Sequence, residues 1–144
     1  MADKAYSGKR IVLGVSGSIA AYKAADIASA LTQGGAIVQV VMTDSATQFI
    51  TPVTMRALTG RTPLVGVFDE TTEGEVTHVS VAENADLLLV APATANIIAK
   101  MAHGLADDML STLYLAAKCP VVIAPAMNTN MWTNAAVVTN VDRL

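Results

Sequence analysis

The sequence has few charged residues, and neither sign of charge dominates. Lysine, arginine, aspartate and glutamate make up 15% of its 144 residues, and the formal net charge is -3. No cluster of lysine or arginine is present, so the charge pattern gives no support to a nucleic acid as partner. Hydrophobic residues account for 53% of the chain, which leaves little polar surface to cover a monomer. We therefore expect one face to be buried between identical subunits.

Cysteine is scarce too, and long apolar runs are absent. The single cysteine, Cys119, excludes an internal disulfide framework and fits a reducing compartment. Its position at the edge of an apolar run favours a small core residue over a nucleophile. The residues before Arg10 are polar, and the longest apolar runs, near residues 87–93, are far too short to span a bilayer. We expect a cytoplasmic protein without a membrane segment.

What the sequence does contain is a regular alternation of apolar strands and helical segments. Residues 10–15 form a short run rich in β-branched side chains, which is typical of a strand buried on both faces. A helix at residues 19–33 and a second strand at residues 36–42 complete a βαβ unit. Further strands are predicted at residues 86–91 and 120–124, and helices at residues 52–58, 78–84, 97–104 and 106–118, the last with Asp107 and Asp108 in its first turn.

This pattern predicts a single α/β domain over residues 1–144 with a doubly wound, mostly parallel, Rossmann-like (flavodoxin-like) sheet. Residues 60–77 are less regular and are interpreted as a surface connection around an apolar stretch at residues 64–68. In such a sheet, ligands bind outside the carboxyl ends of the strands, where the strand order reverses. Four polar or glycine-containing segments are expected to converge there: residues 16–18, 43–45, 93–96 and 126–128.

The first of these segments is a candidate phosphate site. Gly17 permits close approach of the backbone, the following helix offers unpaired amides, and Ser18 adds a hydroxyl. The GxGxxG fingerprint is absent, which favours a mononucleotide over a dinucleotide. An ordinary tight turn would use the same residues. Thr43 and Ser45 could reach the same phosphate or cap a helix, and Asp44 between them is expected to point to solvent.

The third and fourth segments favour a flat ring and a polar substrate group. Small residues around Thr94 and Asn96 would let a ring approach the backbone, although the same segment could simply be a capped helix start. Asn128 is a carboxamide flanked by methionines and by the only tryptophan of the chain. For those methionines and the tryptophan alone, a place in the core is the better interpretation.

The two histidines are interpreted differently. His78 lies outside any long apolar helix face and is a candidate acid or base, although lone histidines are usually structural. His103 is beside Gly104 near a predicted helix end, which favours a C-terminal cap. No grouping of cysteine and histidine indicates a metal site, and no serine-histidine-aspartate arrangement with a nucleophile elbow is present.

Five motifs cover nearly the whole chain from Arg10 onwards. They are Gly-Val-Ser-Gly-Ser-Ile-Ala-Ala-Tyr-Lys at residues 14–23, Thr-His-Val-Ser-Val at 77–81, Ala-Pro-Ala-Thr-Ala-Asn at 91–96, Gly-Leu-Ala-Asp-Asp-Met-Leu at 104–110 and Pro-Ala-Met-Asn-Thr-Asn-Met-Trp at 125–132. Together they resemble the flavin-dependent cysteine decarboxylases, above all the phosphopantothenoylcysteine decarboxylases, including the amino-terminal half of the bacterial bifunctional decarboxylase/synthetase. The third and fifth motifs are specific, whereas the Gly-Ser turn is not.

The resemblance implies a flavin mononucleotide (FMN) cofactor and a set of site residues. The FMN phosphate end would be held by Gly17, Ser18, Ile19, Thr43 and Ser45. The flavin would be lined by Thr94, Ala95, Asn96, Ile97 and Ala126. His78 would be the catalytic base, and Asn128 would bind the substrate carboxylate with Met131 nearby. Family members are homotrimers or dodecamers with FMN at a subunit interface, in agreement with the composition.

The implied reaction is the decarboxylation of 4'-phosphopantothenoylcysteine to 4'-phosphopantetheine in coenzyme A biosynthesis. His78 would take a proton while FMN takes a hydride from the carbon beside the sulfur, and the resulting thioaldehyde would permit loss of CO2. Family members then reduce the enethiol with help from a cysteine on a flap that covers the substrate. This flap follows the fifth motif, and the sequence ends at Leu144 before it, so we expect a truncated domain. Cys119 does not match the flap cysteine.

Three alternatives stay open. A peptidyl-cysteine decarboxylase would share the oxidative half of the reaction and release the enethiol. A flavin prenyltransferase of related fold is expected to lack the fifth motif. A non-catalytic regulatory flavoprotein is disfavoured by the presence of both His78 and Asn128.

Overall fold

Continuous apolar runs become the strands of one parallel sheet, because both faces of such a sheet are covered by helices. The computed structural model describes residues 4–68 and 77–144. Within these residues the strands lie in the order β2-β1-β3-β4, and all neighbours are parallel. Leu13 at the centre of β1 pairs with Val40 of β2 and with Leu89 of β3. The strand bounds are Arg10–Val15 for β1, Ile37–Met42 for β2, Leu87–Ala93 for β3 and Val121–Pro125 for β4.

Helices connect the strands and cover the two faces of the sheet. The first, α1, follows β1 and ends at Gly34, and α2 begins with Thr51 as its N-cap. A short 3₁₀ helix at Ala46–Gln48 follows β2. The helix bounds are Ala21–Gln33 for α1, Pro52–Thr59 for α2, Thr77–Glu83 for α3, Ala95–His103 for α4, Met109–Ala116 for α5, Thr129–Trp132 for α6 and Ala135–Arg143 for α7. The predicted doubly wound α/β fold is confirmed.

Two apolar clusters fill the space between sheet and helices. Ile11, Leu13 and Val15 of β1 point to one face and pack with buried alanines of α1. Val12 points to the other face, in a cluster with residues of α4 and α5. This alternation of side chains along one strand is what a sheet covered on both faces requires.

Several predicted boundaries shift by a few residues. β3 runs two residues further than expected and includes Pro92 and Ala93. The predicted helix at residues 106–118 is shorter, because Asp108 is the N-cap of α5 and not part of its first turn. Beyond β4, where no element is predicted from the sequence, the chain forms α6 and α7.

The connection after α2 differs more from its prediction. Leu64 is buried and forms an isolated parallel bridge with Val41, so this part of the connection extends the sheet beside β2. Burial of one large apolar side chain explains why an otherwise irregular segment is fixed there. The acidic residues predicted on the same connection, Asp69, Glu70, Glu73 and Glu75, lie outside the described residues.

Candidate functional site

The strand order reverses between β1 and β3, at the middle of the sheet. In a doubly wound sheet, such a switch point opens a crevice for ligands at the carboxyl ends of the strands. Because all described neighbours are parallel, the segments that follow β1, β2, β3 and β4 meet at this same edge. The sheet therefore brings the four predicted segments together.

Ser16 joins two of these segments across the switch point. Its hydroxyl donates a hydrogen bond to the Pro92 carbonyl at 2.5 Å and accepts one from the Thr94 amide at 3.0 Å. The Ser16 amide also donates to the Pro92 carbonyl, at 3.2 Å. Ser16 belongs to the first of the four predicted segments, without a predicted role. The sequence signal for a structural role of Ser16 is its position as a polar residue at the end of a buried strand.

The turn at Gly17 is too crowded for a side chain. A Cβ atom added to Gly17 would lie 2.3 Å from the Ser45 Oγ and 2.9 Å from the Ser45 carbonyl carbon. Ala20 is the N-cap of α1 and provides no side-chain cap, and no partner among the described residues is found for the Gly17 and Ile19 amides. Free amides at a helix N-terminus attract anions, so the turn fits a phosphate group.

Three hydroxyls surround this turn. Ser18 Oγ accepts a hydrogen bond from the Ala20 amide at 3.2 Å, and its own hydrogen is left for another acceptor. Thr43 Oγ1 lies 3.1 Å from Ser45 Oγ and accepts from the Ala46 amide at 3.2 Å. Thr43 thus accepts from the first amide of the short helix, whose N-cap is Ser45, and also contacts the hydroxyl beside the turn.

The third segment is a capped helix start. Thr94 is the N-cap of α4, and its Oγ1 accepts from the Ile97 amide at 3.2 Å. Asn96 is exposed and Ala95 is half-buried, so both offer surface to a ligand. Ile97 does not, because its side chain is 1% exposed and packs in the core below the crevice. Ile97 therefore supports the crevice from beneath.

Asn128 in the fourth segment has a fixed orientation. It is the N-cap of α6, and its Oδ1 accepts from the Asn130 amide at 2.8 Å. Because a backbone amide can only donate, the carbonyl oxygen of the side chain must face it, and the Nδ2 amide faces away. Asn128 is exposed and Ala126 is half-buried. The segment therefore presents an exposed amide donor, a group that can donate to a carboxylate.

Met131 and Trp132 do not belong to the core. They are 47% and 43% exposed, so the interpretation as core residues is wrong for these two side chains. Met127 does pack against the second apolar cluster. Trp132 lines a shallow groove beside α7 with Thr133, Val138, Val141 and Asp142. Exposed apolar side chains next to Asn128 leave a wall that another molecule can cover.

The two histidines lie on different helices, α3 and α4. His78 is half-buried near the start of α3, a helix that packs against α5. No hydrogen bond found among the described residues joins His78 to the four segments. The Nε2 atom of His103 lies 2.9 Å from Asn140 Oδ1 on α7, so its side chain links two helices and the predicted capping role is not seen.

A charged network fixes the turn between α4 and α5. Lys100 Nζ lies 2.8 Å from Asp107 Oδ1 and 2.8 Å from Asp108 Oδ2. Burial opposes ionisation of Asp108, but hydrogen bonds from Lys100 and the Ser111 amide outweigh it and lower the pKa of this carboxyl. Hydrogen bonds to Asp107 and Asp108 raise the pKa of the Lys100 ammonium. The network stabilises the helix connection and involves none of the crevice segments.

The described residues support neither a membrane-spanning helix nor a metal site. None of their helices is both long and apolar enough to cross a membrane. Within residues 4–68 and 77–144, no group of three or more histidine, cysteine, aspartate or glutamate side chains could hold a metal ion.

Comparison with known sequence families identifies the family of the chain. The family described as Flavoprotein matches residues 2–144. The chain belongs to the Flavoprotein family. The resemblance predicted from the motifs is therefore confirmed at the level of the family.

Curated proteins that are similar to this chain include a coenzyme A biosynthesis protein. Over 138 residues the chain is 50% identical to the coenzyme A biosynthesis bifunctional protein CoaBC of Vibrio cholerae, covering 96% of this chain and 35% of the relative. The chain thus spans about a third of the length of the curated relatives it matches.

Solved structures of flavoproteins have the same fold. The FMN-dependent cysteine decarboxylase SpaF superposes with a TM-score of 0.91 at 42% identity, covering 97% of this chain and 81% of that one. A PPC decarboxylase mutant complexed with pantothenoylaminoethenethiol superposes with a TM-score of 0.80 at 29% identity, covering 95% of this chain and 77% of that one.

Proposed function

We propose that this chain is the FMN-binding decarboxylase domain that acts on 4'-phosphopantothenoylcysteine in coenzyme A biosynthesis. The crevice carries this proposal, because it combines a side-chain-free turn at Gly17 with an outward amide donor at Asn128. The similarity to CoaBC over nearly the whole chain supports this substrate class.

The first two segments fit the phosphate end of FMN. The free amides of Gly17 and Ile19 would donate to phosphate oxygens at the positive end of α1. The hydroxyls of Ser18, Thr43 and Ser45 would add further donors around the same turn. A side chain at Gly17 would fill this space, so the cradle depends on glycine.

The third segment and Ala126 fit the flavin ring. Ala95 and Ala126 are small and partly exposed, which lets a flat ring approach the main chain, and Asn96 offers an exposed carboxamide. Bound FMN would accept the hydride that leaves the carbon beside the substrate sulfur, and so create the thiocarbonyl group that permits loss of CO2.

The substrate carboxylate would bind to Asn128. The Nδ2 amide would donate to a carboxylate oxygen while Oδ1 holds the start of α6. Met131 and Trp132 on the same short helix would exclude water from one side of the carboxylate. An apolar surround favours departure of CO2, since the ionised group loses hydration that the neutral product does not need.

His78 would act as the base that takes the thiol proton. Imidazole is the side chain most often used for proton transfer near neutral pH. We propose that a homotrimer, or a dodecamer built of trimers, brings His78 and the crevice together at a subunit interface. Exposed apolar side chains at the crevice support such an interface, above all Ile19, which is 77% exposed. We also propose that the protein acts in the cytoplasm.

To test this proposal, the protein is reconstituted with FMN and incubated with 4'-phosphopantothenoylcysteine. Substrate and products are then followed by mass spectrometry. We expect the FMN-loaded protein to release CO2 and to form either the enethiol, which would leave the flavin reduced, or 4'-phosphopantetheine, which would return the flavin to its oxidised form. The apoprotein without FMN is the control and should leave the substrate unchanged. A flavin-loaded trimer that consumes no substrate would contradict the proposed reaction, and a colourless protein would contradict the cofactor.

A second candidate is decarboxylation of a cysteine at the end of a peptide. It is supported by the similar fold of the FMN-dependent cysteine decarboxylase SpaF and of the peptidyl-cysteine decarboxylase EpiD, which superposes with a TM-score of 0.80 at 26% identity. The same assay with a peptide that ends in cysteine separates the two reactions. Turnover of the peptide alone would favour this second candidate.

A further inference from the structure

The buried Ser16 lies between the two halves of the proposed FMN site. Its residue is 1% exposed, so it offers no surface to a ligand. Gly17, which follows it, forms the turn that fits the phosphate, and Thr94 begins the segment that fits the ring. The Ser16 hydroxyl donates a hydrogen bond to the Pro92 carbonyl and accepts one from the Thr94 amide.

Regular strand pairing does not hold these two segments together. The register between β1 and β3 ends at the pair Gly14 and Val90, and β3 is irregular against β4 between Val90 and Ala93. Among the described residues, three hydrogen bonds join residues 16–18 to residues 92–96: two are made by the Ser16 hydroxyl and one by the Ser16 amide. The hydroxyl thus adds to a single backbone contact at the switch point.

We propose that Ser16 is a positioning residue that sets the separation between the phosphate turn and the flavin segment. This inference depends on the proposed binding of FMN, because only a ligand that spans both segments is sensitive to their separation. FMN gains affinity over riboflavin through its phosphate only if both segments are held at the right distance at once. Without the hydroxyl, the Thr94 amide lacks a buried partner and its segment shifts to find one.

The experiment compares Ser16→Ala with Ser111→Ala by titrating the apoproteins with FMN and with riboflavin. Ser111 is a matched control, since it is also buried and its hydroxyl accepts from the Asp108 amide and donates to the Asp108 carbonyl. We expect Ser16→Ala to raise the Kd for FMN on the order of tenfold, the effect of one lost buried hydrogen bond. The Kd for riboflavin should change much less, so the ratio between the two ligands falls. Ser111→Ala should lower the melting temperature and leave that ratio unchanged.

A conservative variant guards against loss of folding. Ser16→Cys keeps nearly the same size with a weak donor and acceptor, so its FMN affinity should lie between those of the wild type and Ser16→Ala. An unchanged affinity ratio in both Ser16 variants, or an equal change in Ser111→Ala, would overturn the inference. Failure of the wild-type protein to bind FMN would instead reject the proposed cofactor, so the two outcomes are distinguishable.

Discussion

Replacing Asn128 with aspartate separates the two functions of this side chain in the proposed site. Aspartate keeps an oxygen that can accept from the Asn130 amide, so α6 retains its N-cap. The Nδ2 donor, however, becomes a second carboxylate oxygen. A donor to the substrate carboxylate is thus exchanged for a negative charge, while the local fold is preserved.

The expected effect follows from two contributions. A hydrogen bond to a charged group contributes about 1.5–3 kcal/mol. Repulsion between two carboxylates about 4 Å apart costs roughly 1 kcal/mol in water and roughly 4 kcal/mol near a protein surface. Asn128 is exposed, so we use the lower part of this range. A total of about 3 kcal/mol or more lowers kcat/KM on the order of a hundredfold or more.

Asn134→Asp is the matched control for this assay. Asn134 is the exposed N-cap of α7, and its Oδ1 accepts from the Ala136 amide at 2.9 Å. The two variants therefore change the same chemical group, the same net charge and the same type of cap. Steady-state decarboxylation, measured by CO2 release, should be reduced only in Asn128→Asp, with FMN absorbance and melting temperature near wild type in both. Equal kcat/KM values for the two variants would refute the proposed role of Asn128.

Three further changes test other parts of the molecule. Gly17→Ala should abolish FMN binding because its methyl group overlaps Ser45, and retention of flavin absorbance would contradict the phosphate cradle. His78→Asn should abolish turnover and leave bound FMN in place if its function is proton transfer, whereas full turnover would exclude it as the base. Asp108→Asn keeps the N-cap but loses the charged contact with Lys100, so the free energy of unfolding should fall by about 2 kcal/mol at neutral pH. Because the Asp108 pKa is lowered by folding, this contribution is present above the ordinary carboxyl pKa of about 4 and is lost as the pH falls below it. Urea unfolding at about pH 7 and about pH 3 should show the difference shrinking, and a constant difference would contradict the assignment.

Much of the fold could be predicted because its information is local. Continuous apolar runs such as Arg10–Val15 indicate strands covered on both sides, and parallel topology then brings the ends of all strands to one edge. The N-cap role of Asn128 was also within reach, since asparagine is among the preferred N-cap residues.

Other features depend on contacts between distant parts of the chain. Ser16 and Pro92 are separated by 76 residues, and nothing in the neighbouring sequence indicates which carbonyl a buried hydroxyl will meet. Leu64 lies in an irregular stretch, and its pairing with Val41 follows from the space beside β2. Helix α7 has no fully buried residue, and its position follows from its packing against α4.

The hydrogen bond between the Thr94 hydroxyl and the Ile97 amide affects the ligand selectivity of the crevice. With that oxygen engaged by the Ile97 amide, the start of α4 presents the small side chain of Ala95 and the exposed carboxamide of Asn96 to a ligand. Such a surface selects a ring by its thickness over Ala95 and by hydrogen bonding only within reach of Asn96. Isoalloxazines of unchanged shape that are altered outside that reach should therefore be accommodated.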